Sequence, residues 1–126
     1  MILGLGTDIV EVARIQTAHA RWGDAFLRRF LRPEEAAWCL AHRVPAPHVA
    51  ARFAAKEAVA KAFGTGIGAA LGWHDLEIVR EDSGRPQVVL HGAGRTLFEA
   101  CGAGQLLLSL SHTQQHAIAT AILESA

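Results

Sequence analysis

An alanine-rich stretch over residues 52–63 constrains the fold of this 126-residue chain more than any other segment. Its composition has a high helix propensity, and Gly64 follows it where a glycine commonly ends a helix. Apolar residues recur along it at helical spacing, while Glu57 and Lys61 lie together on another face. The sequence therefore predicts a packed central helix that begins near His48 and carries a carboxylate and an ammonium on one edge.

The Glu57–Lys61 spacing has an ordinary explanation. Glutamate four residues before lysine is the favourable order for a helix pair, which contributes about 0.3–0.5 kcal/mol. A second stretch supports a functional explanation, because residues 2–10 are typical of a buried strand and include one carboxylate, Asp8, among apolar residues. A buried aspartate needs a metal ion, a cation or several hydrogen-bond donors.

Length and composition indicate one domain with a substantial core, since 51% of the residues are hydrophobic. Twelve basic and twelve acidic side chains give a formal charge of zero, which argues against a nucleic-acid-binding protein. Cys39 and Cys101 lack metal-type spacing, and we expect both to be buried thiols. The N-terminal apolar run is too short to span a membrane and lacks a signal peptide's features, so the expected location is cytoplasmic.

Charge is unevenly distributed near the N-terminus. Asp24 is the one acidic residue between the first and the last of five arginines, which are Arg14, Arg21, Arg28, Arg29 and Arg32. A local basic surface of this kind attracts acidic partners even when the whole molecule is neutral. The alternative is a solvated helix face without a partner.

The helical half of the chain is predicted from capping and periodicity. We expect helices over residues 11–20, over residues 25–31 with Asp24 as N-cap, and from Pro33 to about residue 42. The glycine-rich run over residues 64–68 lacks the third glycine of a dinucleotide fingerprint and a P-loop lysine, and it follows a helix. It is predicted to be a flexible loop with a closely approached backbone.

The second half changes character. Strands are predicted over residues 75–80 and 87–90 around a turn, then a helix over residues 94–101. Two further strands, over residues 105–111 and 115–123, are expected to pair as an antiparallel hairpin. An N-terminal strand, a helical middle and an antiparallel C-terminal sheet together indicate a compact α+β domain.

Three separated motifs, read in order, resemble those of holo-[acyl-carrier-protein] synthases, the short, trimeric class of phosphopantetheinyl transferases. They are GTDIVE at residues 6–11, RFAAKEA at residues 52–58 with Lys61 after it, and SLSHT at residues 109–113. The resemblance covers essentially the whole chain, residues 1–126. It implies the phosphopantetheinyl transferase fold.

The resemblance implies transfer of 4'-phosphopantetheine from coenzyme A to a serine of an apo acyl carrier protein, which leaves adenosine 3',5'-bisphosphate. It further implies that Asp8 and Glu57 hold Mg²⁺, which is commonly bound by one or two carboxylates together with waters and substrate phosphates. Lys61 would neutralise or protonate the leaving phosphate. The base for the serine proton is open between Glu57, acting directly or through a metal-bound water, and a water hydroxide held by Asp8.

The resemblance also implies a set of coenzyme A contacts. The candidates are Arg52, Lys61, Gly64, Arg85, Pro86, Ser111, His112 and Thr113. Arginine suits phosphate recognition, and the 84–86 turn would lie near the adenine. His112 could instead be a turn histidine with a backbone contact, and residues 84–86 could be a plain hairpin turn. The other six histidines show no ligand spacing.

In this family the first helix supplies arginines to the acidic carrier, and Arg14, Arg21 and Arg28 fit that role. Asp24 departs from the family pattern, since the family often has a basic residue at this position. This departure leaves open whether the carrier belongs to fatty-acid or polyketide synthesis. The family also forms homotrimers with shared active sites. An exposed apolar strand face would be buried in that assembly.

Two other functions use the same residues. A metal-dependent hydrolase of coenzyme A or nucleotide diphosphates could employ Asp8, Glu57 and Lys61. A non-catalytic coenzyme A-binding domain would use Glu57 and Lys61 only as a helix pair. Neither explains why all the motifs occur in this order.

Overall fold

An N-terminal strand, four helices, a hairpin, a fifth helix and a second hairpin follow one another in the computed structural model, which describes residues 1–126. The elements are β1 (Ile2–Glu11), α1 (Val12–Trp22), α2 (Asp24–Arg28), α3 (Pro33–Leu40), α4 (Ala46–Phe63), β2 (Leu76–Arg80), β3 (Pro86–Leu90), α5 (Ala93–Ala100), β4 (Ala103–His112) and β5 (His116–Ser125). This arrangement confirms the α+β class.

The strands form two antiparallel sheets. One has the order β1-β5-β4, and the other is the β2-β3 hairpin. The register pairs Asp8 with Ala119 and His112 with Ala117, so both polar side chains project from the same face of the larger sheet. Helix α4 packs against that face, which brings Asp8 and His112 towards the helix.

Two glycines allow β1 to lie directly on α4. A Cβ atom at Gly4 would be 1.8 Å from the carbonyl oxygen of Ala62, and one at Gly6 would be 1.8 Å from that of Ala58. Real Cβ atoms do not approach an oxygen this closely, so both positions require glycine. The small residues on strand and helix therefore permit a contact between two backbones.

Helix α4 is the centre of the core and is buried on nearly every side. Its start at Ala46 and its end at Gly64, which has a φ of 81°, confirm the predicted helix. The prediction that only the apolar residues of this helix are buried was too narrow, because Arg52 and Lys56 are buried as well. The strands of both hairpins and helix α5 also lie where the sequence predicts them.

Strand β1 corrects one prediction, because it is not a buried strand. Leu5 and Ile9 are 65% and 64% exposed. They lie on the outer sheet face, which we define as the face opposite α4. Its members on the three strands are Leu5, Thr7, Ile9, Leu107, Ser109, Ser111, Ile118, Thr120 and Ile122.

Two smaller predictions were also wrong. Asp24 makes no side-chain cap for α2, because its carboxylate is paired with His19 at 2.9 Å. The helix ends at Arg28, before the predicted end at residue 31. Cys101 is exposed, whereas Cys39 is buried as expected. The glycine loop is approached on its N–H side only, since Gly66 donates to Ala60 at 3.1 Å and Gly68 to Leu71 at 2.9 Å, whereas nothing lies within 4 Å of a Cβ placed at either glycine.

Candidate active site

Asp8, Glu57 and Lys61 lie in one pocket, although they come from opposite ends of the first half of the chain. The pocket has a volume of about 380 Å³ and opens between β1, α1 and α4. Its other lining residues are Ile9, Val10, Arg14, Ile15, Ala18, Phe26 and Phe53. The three polar residues of the predicted catalytic set therefore come together against an apolar wall.

Lys61 pairs with Asp8 and not with Glu57. Its ammonium donates to Asp8 Oδ1 at 3.2 Å and to the carbonyl oxygen of Thr7 at 2.9 Å. The ordinary helix pair between Glu57 and Lys61 is thus absent, and the lysine connects α4 to β1.

Glu57 is half-buried in the same pocket. Burial first, and then the charge of Asp8, raise the pKa of Glu57, while Lys61 opposes this shift. Two neighbouring carboxylates compensated by one ammonium form a site that favours additional positive charge. Carboxylate oxygens are ligands that Mg²⁺ accepts, and it completes its octahedron with waters and substrate oxygens. Asp8 and Glu57 therefore fit a magnesium site.

A second group of residues lies near the other end of α4. We call it the histidine–arginine cluster, and its members are Trp38, His42, His48, Arg52, Arg80 and His112. His42 and His48 stack with ring centroids 3.7 Å apart, and His112 meets His48 edge-on at 5.5 Å. Arg52 and His112 were both predicted from the sequence to bind coenzyme A. In the structure they are linked through Trp38 and His48, which the sequence analysis had not assigned.

Arg52 is only 2% exposed, so it is more deeply buried than an arginine that contacts phosphate at the protein surface. Its guanidinium lies 3.9 Å above the Trp38 ring, and its Nε has no hydrogen-bond partner. Burial lowers its pKa from the ordinary value. Burial likewise lowers the pKa of His48 to about 4, assisted by the charges of His42 and His112. This cluster of donors attracts anions, although Glu34, Glu35 and Glu77 line the same pocket as Trp38, Arg52 and Arg80.

Five predicted coenzyme A residues lie outside these two groups. Gly64 ends α4, and Arg85 and Pro86 lie at the β2-β3 turn. Ser111 belongs to the outer sheet face. The Thr113 hydroxyl accepts the N–H groups of Gln115 and His116 at 3.1 Å, which stabilises the β4-β5 turn. One copy of the chain does not assemble the full predicted set.

The predicted carrier residues are only partly adjacent. Arg14 and Arg21 line one groove on α1, whereas Arg28 is exposed on α2 outside it. The groove also contains Trp22, which is 60% exposed and lies under the Arg21 guanidinium at 4.8 Å. Arg14 lines both this groove and the Asp8–Glu57 pocket.

Sequence reasoning missed Trp22, His42 and His48. An exposed tryptophan at the end of an arginine-bearing helix was a usable signal. His48 also precedes Arg52 by four residues, so both lie on one side of α4. His42 offered no local signal, because it lies beyond the end of α3 and reaches His48 only through the fold.

No helix in the structure combines the length and apolar character that crossing a bilayer requires.

Comparisons with known proteins identify the family. Residues 4–121 match the sequence model of the 4'-phosphopantetheinyl transferase superfamily. The chain is 48% identical over 124 residues to the holo-[acyl-carrier-protein] synthase of Koribacter versatilis, which covers 98% of this chain and 99% of that protein. Its fold resembles the crystal structure of the synthase from Neisseria meningitidis, with a TM-score of 0.92, 37% identity and coverage of 99% and 100% of the two chains.

A third comparison concerns the Helicobacter pylori holo-[acyl-carrier-protein] synthase, whose crystal structure is a complex with coenzyme A. The TM-score is 0.84 at 32% identity, and the match covers 95% of this chain and 99% of that one. Sequence and fold agree over nearly the full length in all these comparisons. This chain therefore belongs to the holo-[acyl-carrier-protein] synthases of the 4'-phosphopantetheinyl transferase superfamily.

Proposed function

We propose that Asp8 and Glu57 hold the magnesium ion of an enzyme that transfers 4'-phosphopantetheine from coenzyme A to a serine of apo acyl carrier protein. Family membership supports the transferase activity and its two substrates. The observation that carries the metal assignment is the meeting of two carboxylates and Lys61 in one pocket. When bound, Mg²⁺ supplies charge neutralisation and polarisation of the coenzyme A diphosphate.

The chain's own residues position the reactants, which is most of what phosphoryl transfer requires of a protein. Glu57 accepts the proton of the attacking serine. Glu57 lies in the same pocket as Asp8 and Lys61, where the serine would be bound. Lys61 neutralises the charge that develops on the departing bisphosphate, and its contact with Asp8 keeps its ammonium inside the pocket.

The histidine–arginine cluster is the proposed site for phosphate groups of coenzyme A. Arg52, with its unpartnered Nε, supplies fixed positive charge, and His48 and His112 supply imidazole donors. A buried donor without a partner costs about 1–3 kcal/mol, so a bound anion that accepts from this cluster would relieve an existing penalty.

The groove of Arg14, Arg21 and Trp22 is the proposed docking surface for the carrier, with Arg28 contributing at its margin. Carrier proteins of fatty-acid or polyketide synthesis are acidic, which matches these arginines. Because Arg14 lines the groove and the pocket, a carrier bound here would place its serine near Glu57.

We also propose that the enzyme is a homotrimer with active sites shared between subunits. Exposed apolar side chains on the outer sheet face, including Leu5 and Ile9, support association of copies through this face. Sharing would also explain why Ser111 and Arg85 lie apart from the two clusters in one chain. A neighbouring subunit would then complete each site.

A cytoplasmic location is part of the proposal. Neither Cys39 nor Cys101 forms a disulfide. Free thiols are typical of proteins from reducing compartments.

Intact-mass spectrometry tests the function directly. Apo acyl carrier protein is incubated with coenzyme A and the enzyme, with and without Mg²⁺, beside the Glu57→Gln variant. We expect a gain of one phosphopantetheine that requires both Mg²⁺ and Glu57. Cleavage of coenzyme A without carrier modification would indicate the hydrolase. Tight coenzyme A binding with no reaction on several acidic carriers would indicate a binding domain.

A further inference from the structure

Lys56, the residue before Glu57, forms a buried ion pair that the reaction described above does not use. Its side chain is 0% exposed and that of its partner Glu35 is 1% exposed. The ammonium donates to Glu35 Oε1 at 2.7 Å, to the carbonyl oxygen of Phe30 at 2.6 Å and to that of Trp73 at 3.1 Å. All three of its donors are therefore used.

Glu35 extends this network to two further segments. Oε1 also accepts the backbone N–H of Arg32 at 2.9 Å, at the start of α3. Oε2 accepts the backbone N–H of Ile78 at 2.9 Å, in β2. The Lys56–Glu35 pair thus attaches α4 to the turn after α2, to α3, to the segment before β2, and to β2.

Stability alone is a weak reason for such a pair. Removing two charges from water offsets much of their attraction, and apolar residues of similar size often stabilise a fold equally well or better. An ammonium held by three fixed acceptors has a further effect, because it fixes the rotation of its helix about the helix axis. Glu57, next in the chain, turns with Lys56.

The same hydrogen bonds reach the apolar wall of the active-site pocket. The Phe30 and Trp73 rings, whose carbonyls accept from Lys56, both pack against Phe53, at centroid distances of 5.2 and 5.0 Å. Phe26 packs edge-on against Phe30 at 5.2 Å. Phe26 and Phe53 line the Asp8–Glu57 pocket, so Lys56 lies directly behind its wall.

We propose that Lys56 and Glu35 are positioning residues for phosphopantetheine transfer. They hold α4 at the rotation that aims Glu57 at Asp8, and they anchor the two residues against which Phe53 packs. This inference rests on the proposed function of the Asp8–Glu57 pocket. It assigns Lys56 no contact with either substrate.

The test compares Lys56→Met with Lys56→Gln, which keeps donors for the Phe30 and Trp73 carbonyls, and with Val49→Ala, a buried change in α4 near its start. All three are assayed well below their melting temperatures, after circular dichroism has verified folding. We expect Lys56→Met to lower kcat about 30- to 100-fold, as small misplacements of reacting groups do. KM for coenzyme A, measured at saturating Mg²⁺, should change by less than about threefold, because the histidine–arginine cluster, which Lys56 does not touch, is the other proposed phosphate site.

Three comparisons decide the outcome. Lys56→Gln should recover part of the lost kcat, and Val49→Ala should keep kcat while lowering the melting temperature. If Lys56→Met does not fold, Glu35→Gln replaces it, with the same expected loss of kcat at nearly constant KM. A kcat that falls only in proportion to the melting temperature, Val49→Ala included, overturns the proposal.

A calorimetric Mg²⁺ titration of the coenzyme A complex, without carrier, separates this inference from the function on which it rests. Weaker Mg²⁺ binding by Lys56→Met than by Val49→Ala supports a role in aiming Glu57. Equal binding by the two variants overturns it. Wild-type enzyme that binds Mg²⁺ but modifies no carrier would overturn the proposed transfer while leaving this readout intact.

Discussion

The Lys61 ammonium lies 3.2 Å from Asp8 Oδ1, so a residue near the end of α4 compensates a carboxylate on β1. Glu57 has no such partner, and its pKa is raised by burial and by Asp8. The two carboxylates of the pocket therefore differ in charge compensation, and this difference leads to the first two predictions.

Replacing Glu57 by glutamine should stabilise the metal-free protein at neutral pH. Because its pKa in the fold lies above the ordinary value of 4.5, the stability that Glu57 contributes is present below that value and is lost as pH rises through the raised pKa. We expect Glu57→Gln to raise Tm by about 1–3 °C at pH 7 without Mg²⁺. The difference should vanish near pH 4, and Mg²⁺ should stabilise only the wild type. A lower Tm for the variant would contradict this assignment.

Replacing Lys61 by alanine should affect chemistry more than substrate binding. Loss of a charged group that stabilises the transition state lowers kcat by about 10²–10³-fold. Mg²⁺ binding without coenzyme A should become tighter, because Asp8 loses a competing cation. Steady-state kinetics and calorimetry measure the two effects, with Lys61→Arg as the charge-conserving control. A raised KM with unchanged kcat would instead make Lys61 a binding residue.

Reversing the charge of Arg14 should weaken carrier binding and leave coenzyme A binding intact. Arg14 is exposed in the proposed carrier groove, and we expect Arg14→Glu to reduce carrier affinity about tenfold at low salt, with a smaller effect as salt increases. Arg95→Glu makes the same charge change on α5 and serves as the control. Equal loss of carrier and coenzyme A binding would refute the groove assignment.

Binding of adenosine 3',5'-bisphosphate should take up protons at the histidine–arginine cluster. His48 has a pKa of about 4 in the fold against an ordinary 6.5, so the stability it contributes is present above pH 6.5 and is lost as pH falls towards 4. A bound anion favours the imidazolium, so affinity should rise as pH falls from 7.5 to 6. Calorimetry in buffers of different ionisation enthalpy measures the uptake. The same uptake by His48→Gln would exclude His48 as its source.

A charged residue on the outer sheet face should dissociate the proposed trimer. Leu5→Glu places a carboxylate in the apolar surface that copies of the chain would share, and light scattering should then report a smaller particle. Leu40→Glu, at the exposed end of α3, is the matched control. If the histidine–arginine cluster of one subunit serves the Asp8–Glu57 pocket of its neighbour, mixing subunits that carry His112→Ala with subunits that carry Glu57→Gln should restore some activity. A wild-type monomer that is fully active would contradict both expectations.

Local patterns were sufficient for much of the fold. Alternating apolar residues and turn residues placed both hairpins, and the alanine-rich run ending at Gly64 placed α4. Ordered motifs also placed Asp8, Glu57 and Lys61 in one site. These features depend on spacing along the chain or on a family pattern that spans it.

The failures involve contacts between distant segments. Asp24 has the composition of an N-cap, yet its carboxylate is held by His19 on the preceding helix. Residues 2–10 look buried because they are apolar, but only one face of β1 meets α4. The pairing of Lys56 with Glu35 and the stacking of His42 on His48 could not be predicted from periodicity, because both depend on how the helices are arranged in three dimensions.

The backbone contact between β1 and α4 bears on how this enzyme can vary. Gly6 meets the carbonyl of Ala58, and these two residues are close neighbours of Asp8 and Glu57 along their respective elements. At Gly4 and Gly6, no side chain lies between strand and helix that a mutation could lengthen or shorten. The interval between the two carboxylates therefore depends on the main chain, and changing it requires a change in the fold itself. The exposed residues of α1, which line the proposed carrier groove, have no such constraint.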